Sequence, residues 1–214
     1  KMLVNYPSST TELTITAPGA TLSKRDRRFE IAWLEFATPV QPGQQIPVEI
    51  KAVRQQRGFV DADPDNLLVE NGTFLNNQDL LGVFGYQPSR LLEDRHERAK
   101  RDLAPIERLP KLEDTTHHHE SGFGRAEDFI NFEATIGTDA DQTAIAPGYL
   151  QKQWQDNGRA YFHYKMDKPM FNFYSVLSAR LAVKKEVYKG VSLEIYYHPT
   201  HAFNLDTMMQ SLKD

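Results

Sequence analysis

Three histidines and a glutamate in a row, His117 to Glu120, are the residues that most readily suggest chemistry, because imidazole and carboxylate groups are zinc ligands. Neighbouring side chains of an extended chain point to opposite sides, so adjacent histidines are badly placed to share one tetrahedral ion. The helical zinc signature is His-Glu-x-x-His, whereas His119-Glu120 is followed here by Ser-Gly-Phe. The second histidine ligand is missing, and we predict a polar loop without a native metal.

A second histidine pair, His198 and His201, follows the last strand-like segment, with Asp206 downstream. The spacing could serve a metal on a turn, but Pro199 between the two histidines indicates the exit of a strand. His163 lies inside a strand-like run, where packing across a strand pair is the simplest role for it. We predict no metal ligands among these residues.

Nucleophilic and cofactor chemistry leave no signature in the chain. It contains no Gly-x-Ser-x-Gly elbow, no cysteine and no glycine-rich phosphate loop that follows a strand. The net charge is −4 and the basic residues form no stripe, which argues against a nucleic-acid partner. We therefore predict no catalytic, cofactor-binding or metal-binding residues in this chain, and no enzymatic activity of its own.

The pair Asn157-Gly158 predicts a β-hairpin, because both residues tolerate the positive φ angles of a type I′ turn. Such a turn sets the register of the strands on either side. The predicted cross-strand pairs are Trp154 with Tyr161, Gln153 with Phe162, Gln151 with Tyr164, and Tyr149 with Met166. One face then carries Tyr149, Phe162, Tyr164 and Met166, and the other, wetter face carries Lys152, Trp154, Tyr161, His163 and Lys165.

Most other segments have the alternation or the apolar character of β-strands. Strand signals occupy residues 12–16, 29–36, 46–52, 129–136, 176–188 and 191–197, and Asn71-Gly72 and Lys189-Gly190 predict two more hairpins. Only residues 91–103 and 204–212 have a helical period. The sequence therefore predicts an all-β, mainly antiparallel fold with one or two short peripheral helices.

The segment 204–212 predicts a short helix with an apolar stripe formed by Leu205, Met208, Met209 and Leu212. A helix this short is marginal in water unless it packs against something. It either folds back on the sheets of this chain or finds its partner beyond Asp214, and we favour the second interpretation. Residues 204–214 are then the start of a linker helix into a further domain.

A series of short motifs, distinctive in combination, runs from about Leu67 to the end of the chain. They are NGTFLN (71–76), GYQP (85–88), DRHER (94–98), NFEAT (131–135), IAPGYL (145–150), YFHYKM (161–166), FNF (171–173), LSAR (177–180) and EIYYHP (194–199). In this order they resemble the N-terminal domain of gluzincin aminopeptidases, the aminopeptidase N-like family. The resemblance is closest to a bacterial subgroup in which the peptidase follows an ABC-transporter-type permease region.

The resemblance implies a saddle-like β-sandwich domain at residues 1–203, with a long loop at 104–126, that precedes a thermolysin-like zinc domain. The family's catalytic motifs, Gly-x-Met-Glu-Asn and His-Glu-x-x-His, belong to that following domain and do not occur here. The implied function is therefore that of a non-catalytic domain, which buttresses the catalytic domain and walls the cleft for the peptide substrate. Zinc is expected only in the missing catalytic domain of this hydrolase.

The same resemblance implies partners and a location. The partners would be the parent's own catalytic domain, reached through the 204–212 helix, and the parent's peptide substrate. The fragment is expected to be soluble, and the parent to be associated with a membrane, on a side that the sequence does not give.

Two other hypotheses remain open at the level of the sequence. One is a self-contained β-sandwich module that binds a peptide or a glycan through an exposed aromatic face formed by Trp154, Tyr161 and His163. The other is a metal-dependent enzyme that uses the loop at His117 to His119.

Overall fold

The computed structural model describes residues 1–7, 10–55, 67–85, 91–106, 110–118 and 129–214. Strands dominate this part of the chain, and they pair mainly antiparallel. The strands are β1 (Met2–Asn5), β2 (Thr10–Thr16), β3 (Ala20–Asp26), β4 (Ile31–Phe36), β5 (Glu49–Arg54), β6 (Leu68–Val69), β7 (Gly72–Asn76), β8 (Val83–Phe84), β9 (Phe129–Ile130), β10 (Glu133–Asp139), β11 (Thr143–Ile145), β12 (Tyr149–Asp156), β13 (Arg159–Lys165), β14 (Met170–Phe171), β15 (Ser175–Ala179), β16 (Ala182–Tyr188) and β17 (Val191–Tyr197). The predicted all-β fold class is confirmed.

The helices are few and short. They are α1 (Asn77–Leu81), α2 (Arg95–Ala99) and α3 (Leu205–Ser211), with single 3₁₀ turns at Thr115–His117 and Pro199–His201. The sequence predicted α2 and α3 but not α1, which is too short to show a helical period. None of the described helices is long and apolar enough to cross a membrane.

The chain divides into two compact units whose segments interleave along the sequence. The first comprises Lys1–Gln55, Asn77–Ile130 and Phe171–Phe173, and the second comprises Gln56–Asn76, Asn131–Met170 and Tyr174–Asp214. A single domain at residues 1–203 remains a prediction.

The first unit is built on a four-stranded sheet, in the order β3-β4-β1-β8, and on the strand pair β2-β5. Its core consists of Val4, Tyr6, Ile15, Ala32 and Leu34. Strand β4 begins two residues later than predicted, because Glu30 has a φ of 56°, which lies outside the β region.

The second unit contains a three-stranded sheet β10-β13-β12, a four-stranded sheet β11-β15-β7-β6 and the hairpin β16-β17. Strand β13 is central in its sheet and buries Ala160, Phe162 and Tyr164 on one face. The Tyr164 hydroxyl donates a hydrogen bond of 3.0 Å to the carbonyl of Ala144. Burial, with a smaller contribution from the Glu194 carboxylate, raises the pKa of the Tyr164 phenol. The inner face of this sheet is therefore a packed surface with its polar group satisfied.

A buried glutamine joins three segments of the second unit. The Gln142 side-chain oxygen accepts hydrogen bonds from the hydroxyls of Thr138 (2.7 Å) and Ser178 (3.1 Å), and its amide nitrogen donates to the carbonyl of Glu70 (3.4 Å). Gln142, Thr138 and Ser178 are all buried. Because unsatisfied polar groups are costly in the interior, this arrangement fixes β10 and β15 relative to the β6-β7 turn.

The Asn157-Gly158 hairpin forms with both turn residues at positive φ, 49° and 75°. The predicted pairs of Trp154 with Tyr161 and of Gln153 with Phe162 are confirmed. The two outer pairs are wrong, because a β-bulge falls between Leu150 and Lys152. The observed pairs there are Leu150 with Tyr164 and Tyr149 with Lys165. The bulge inserts one unpaired residue, Gln151, and leaves Tyr149 63% exposed instead of on the packed face.

The other two predicted hairpins also form, one of them with a different turn. Lys189 and Gly190 connect β16 to β17 and both have positive φ. In the β6-β7 hairpin, Val69 pairs with Gly72, so Glu70 and Asn71 make the turn and Gly72 belongs to the strand. A Cβ on Gly72 would lie 2.5 Å from the carbonyl oxygen of Ser178 on the neighbouring strand. Close strand packing, and not the turn, requires glycine at this position.

The helix predicted at 91–103 is shorter in the structure and is capped by Asp94, whose carboxylate accepts a hydrogen bond of 2.8 Å from the backbone N–H of Glu97. Glu97 forms ion pairs with Lys100 (2.8 Å) and Arg101 (2.5 Å), and these two contacts lower the pKa of its carboxyl. All of these groups are on the surface. Much of the loop predicted at 104–126, from 107 to 109 and from 119 onward, lies outside the described residues.

Helix α3 packs on the hairpin β16-β17 of its own unit. Leu205 (8% exposed) and Met209 (2% exposed) form a cluster with Ile195 on β17. The interpretation that the whole stripe finds its partner beyond Asp214 is therefore wrong for these two residues. Met208 and Leu212 remain 47% and 52% exposed.

Candidate functional site

The exposed face of the sheet β10-β13-β12 collects the functional candidates of the hairpin. We call it the aromatic face and define it by Lys152 and Trp154 on β12, Tyr161, His163 and Lys165 on β13, and Glu133 and Gly137 on β10. Alternation along each strand places these side chains opposite the buried Phe162 and Tyr164. The sequence prediction for this side of the hairpin is confirmed.

Two aromatic rings stack across the strands of the aromatic face. The ring centroids of Trp154 and Tyr161 are 5.3 Å apart, with an angle of 9° between the ring planes. The ammonium group of Lys152 lies 5.1 Å from the centroid of the Trp154 ring. A Cβ at Gly137 would be 2.7 Å from Cε1 of Tyr161, so glycine provides the space in which this ring lies over β10. The Tyr161 ring of this stack therefore lies directly against the backbone of β10 at Gly137.

A carboxylate from β10 is paired with two bases from β13. Glu133 contacts Nε2 of His163 at 2.8 Å through one oxygen and Nζ of Lys165 at 3.0 Å through the other. The hydrogen bonds from Lys165 and, second, from His163 lower the pKa of the Glu133 carboxyl. Glu133 therefore stays ionised through the physiological range and holds the imidazole in one orientation.

The aromatic face has the chemical groups of a contact surface. A histidine held by a carboxylate activates a nucleophile when the hydroxyl or thiol of that nucleophile donates a hydrogen bond to the other ring nitrogen. Among the described residues, the His163 imidazole makes its side-chain hydrogen bond to Glu133. The remaining features, stacked rings and a cationic ammonium group, are those of surfaces that contact flat or extended ligands.

The histidine run does not form a metal site in the part that the structure describes. Nδ1 of His117 contacts the Asp114 carboxylate at 2.9 Å, and Nε2 of His118 contacts the carbonyl of Leu112 at 2.7 Å. His119 and Glu120 lie outside the described residues. The two described imidazoles therefore have separate partners.

The second candidate set is also divided between different partners. The rings of His198 and His201 are 5.2 Å apart, and Nδ1 of His198 contacts the Thr200 hydroxyl at 2.7 Å. Asp206 forms an ion pair with Lys184 on β16, which lowers the pKa of the Asp206 carboxyl. Across residues 1–7, 10–55, 67–85, 91–106, 110–118 and 129–214, no group of three histidine, aspartate or glutamate side chains could hold a metal ion.

Reasoning from the sequence missed two members of the aromatic face, Glu133 and Gly137. Both lie on β10, whose strand character was predicted at 129–136, but the pattern of one strand does not tell which strand lies beside it. The signal that could have revealed them is the sign of charge, since Glu133 faces the basic Lys165 across the pair.

Comparison with known proteins adds no identification. No family model matches the chain, and no curated protein matches it.

Proposed function

We propose that this chain is the non-catalytic N-terminal domain of a zinc aminopeptidase-like metallopeptidase of the gluzincin type. In this role it buttresses the catalytic domain and walls the cleft for the peptide substrate. The observation that carries the proposal is the ordered series of motifs from NGTFLN at 71–76 to EIYYHP at 194–199. The parent is proposed to be a bacterial membrane-associated protein with an ABC-transporter-type permease region and with zinc in its catalytic domain.

Two features of the molecule are compatible with a scaffolding role. The fold is all-β, and the described histidines and carboxylates are spread over separate partners. The outer side of α3, with Met208 and Leu212 exposed, offers an apolar stripe to the proposed catalytic domain. Leu205 and Met209, which are used inside this unit, hold the helix in place for such a contact.

The first test is the reading frame beyond Asp214. The proposal expects a His-Glu-x-x-His motif within about a hundred residues, because this spacing places two zinc ligands on one helical face with the glutamate as base. A second test is to assay the 214-residue chain with aminoacyl chromogenic substrates in the presence of zinc, with a zinc aminopeptidase as the positive control. Turnover by the chain itself, or a downstream frame without the motif, would refute the proposal.

The alternative function is a binding module that recognises a peptide or a glycan through Trp154, Tyr161 and His163. It is favoured by the position of these three side chains on one sheet face, where none of them is fully buried. The chain has two tryptophans, so in a Trp33→Phe background the fluorescence reports on Trp154 alone. Titration with a panel of peptides and oligosaccharides of different sequence and composition should then quench or shift the Trp154 fluorescence. Tyr161→Ala should weaken this change in fluorescence. A signal that no ligand of either class alters would remove this alternative.

A further inference from the structure

Strand β12 forms one edge of its sheet, and no other described strand pairs with its outer side. It is eight residues long, and all of them except the half-buried Trp154 are exposed. A long exposed edge is a template for a further strand, because its outward N–H and C=O groups lack partners in the sheet.

The turn determines which backbone groups point outward. In a two-residue type I′ hairpin, the residues that flank the turn, Asp156 and Arg159, exchange hydrogen bonds with each other. Hydrogen-bonded and non-hydrogen-bonded pairs alternate along an antiparallel ladder. The N–H and C=O groups of Gln153 and Gln155 therefore point away from β13, towards the open edge.

Two opposite charges on this edge have no ion-pair partner among the residues that the structure describes. Lys152 and Asp156 lie on the same face as Trp154, two residues before it and two residues after it. Lys152 contacts the Trp154 ring, and Asp156 accepts a hydrogen bond of 3.2 Å from the Asn157 side chain. Neither charge forms a salt bridge with any residue that the structure describes.

These features make the edge complementary to itself. In an antiparallel pair along the outer edge, residues whose backbone groups point outward must lie opposite each other. Three registers between two copies satisfy this condition. They pair Gln153 with Gln153, Gln155 with Gln155, or Gln153 with Gln155. Only the pairing of Gln153 with Gln155 places Lys152 opposite Asp156 at both ends, with Trp154 opposite Trp154 in the middle. In the other two registers a charged residue faces Trp154.

We propose that the outer edge of β12 pairs antiparallel with β12 of a second copy of this chain, with Trp154 on the two-fold axis. The two three-stranded sheets then form one continuous sheet across the dimer. Trp154 and Lys152-Asp156 occupy non-hydrogen-bonded pairs, where side chains approach each other most closely. The bulge at Gln151 ends the regular segment and limits the pairing to 152–156. Because the interface is two-fold, it closes on itself and does not propagate.

The decisive experiment uses two charge reversals in the full chain. Sedimentation equilibrium over about a hundredfold range of concentration should give a concentration-dependent mass between 24.5 kDa and twice this value for the wild type. Lys152→Asp and Asp156→Lys each create like-charge pairs at both ends of the interface, so each should raise the dissociation constant about tenfold or more. Lys168→Asp and Asp167→Lys make the same charge changes at exposed positions outside the strand and should leave the mass unchanged.

Mixing the two variants tests the register itself. In a mixed dimer, the carboxylate introduced by Lys152→Asp faces the ammonium group introduced by Asp156→Lys, and the native Asp156 and Lys152 face each other at the opposite end. The mixture should therefore associate although each variant alone does not. A Gln153→Pro substitution removes an outward N–H and should abolish the dimer while near-ultraviolet circular dichroism stays native. The inference is overturned if the wild type is monomeric throughout, if the reversals or the proline leave the dimer intact, or if the mixture fails to associate.

Discussion

Replacing Met209 by alanine tests whether α3 is an integral part of the second unit. Met209 is 2% exposed and packs with Leu205 and Ile195 between α3 and β17, whereas Met208 on the same helix is 47% exposed. Met208→Ala therefore makes the same chemical change, with the same effect on helix propensity, at a position that is 47% exposed. The two variants differ only in what the side chain packs against.

The expected magnitude follows from the burial of the two side chains. Truncation of a buried methionine to alanine costs about 2–5 kcal/mol, and the lower part, about 2–3 kcal/mol, applies here because a short surface helix can shift into the cavity. Met208→Ala should change the free energy of unfolding by no more than about 0.5 kcal/mol. With a denaturant slope of about 2 kcal/mol per M urea, Met209→Ala should lower the urea midpoint by about 1 M or more.

The assay is urea unfolding followed by the fluorescence of Trp154, which belongs to the same unit as α3, in a Trp33→Phe background. Equal midpoints for Met209→Ala and Met208→Ala would refute the docking of α3 on its own hairpin. A larger loss for Met208→Ala would mean that the exposed side of the helix carries its packing. Either result would mean that α3 is held chiefly by contacts other than the cluster of Leu205, Met209 and Ile195.

Further predictions concern strand packing, the buried glutamine and the effect of acid. Gly72→Ala should destabilise the second unit by about 2 kcal/mol, because its Cβ would lie 2.5 Å from the Ser178 carbonyl oxygen and relieving this clash requires a shift of the backbone. An unchanged urea midpoint would contradict this prediction. Gln142→Met should cost about 2–4 kcal/mol, because it leaves two buried hydroxyls, one of them on Ser178, without their acceptor; removing both hydroxyls as well should recover part of the loss. The pKa of Glu133 is lowered from 4.5 by Lys165 in the folded state, so its contribution to stability is present above pH 4.5 and is lost as the pH falls through the folded pKa. Glu133→Gln should therefore weaken the pH dependence of the unfolding temperature between pH 4.5 and the folded pKa of Glu133. An unaltered pH dependence would contradict the ion pair of Glu133 with Lys165.

Several motifs of the resemblance lie on strands that the structure describes. Most of YFHYKM lies on β13, which ends at Lys165, and most of EIYYHP lies on β17, which ends at Tyr197. The YFHYKM segment contributes to both the packed side of its sheet and the aromatic face. The proposed scaffolding role and the proposed self-pairing of β12 are independent of each other and are tested by separate experiments.

The amino-acid sequence by itself determined the local features of the chain. Asn157-Gly158 and Lys189-Gly190 turn where predicted, because positive φ is a property of the residues in the turn. The inner and outer sides of β13 follow from alternation, because successive side chains of a strand point to opposite faces whatever its neighbours are.

Only the tertiary structure decided what these elements lie against. Glu133 contacts His163 although the two residues are 30 positions apart, Gln151 bulges out of its pair, and α3 packs on β17. A hydrophobic period shows that a face will be buried, but it carries no information about the surface that buries it. The free energy that selects this surface comes from packing and from satisfied polar groups, and these exist only after the strands have assembled.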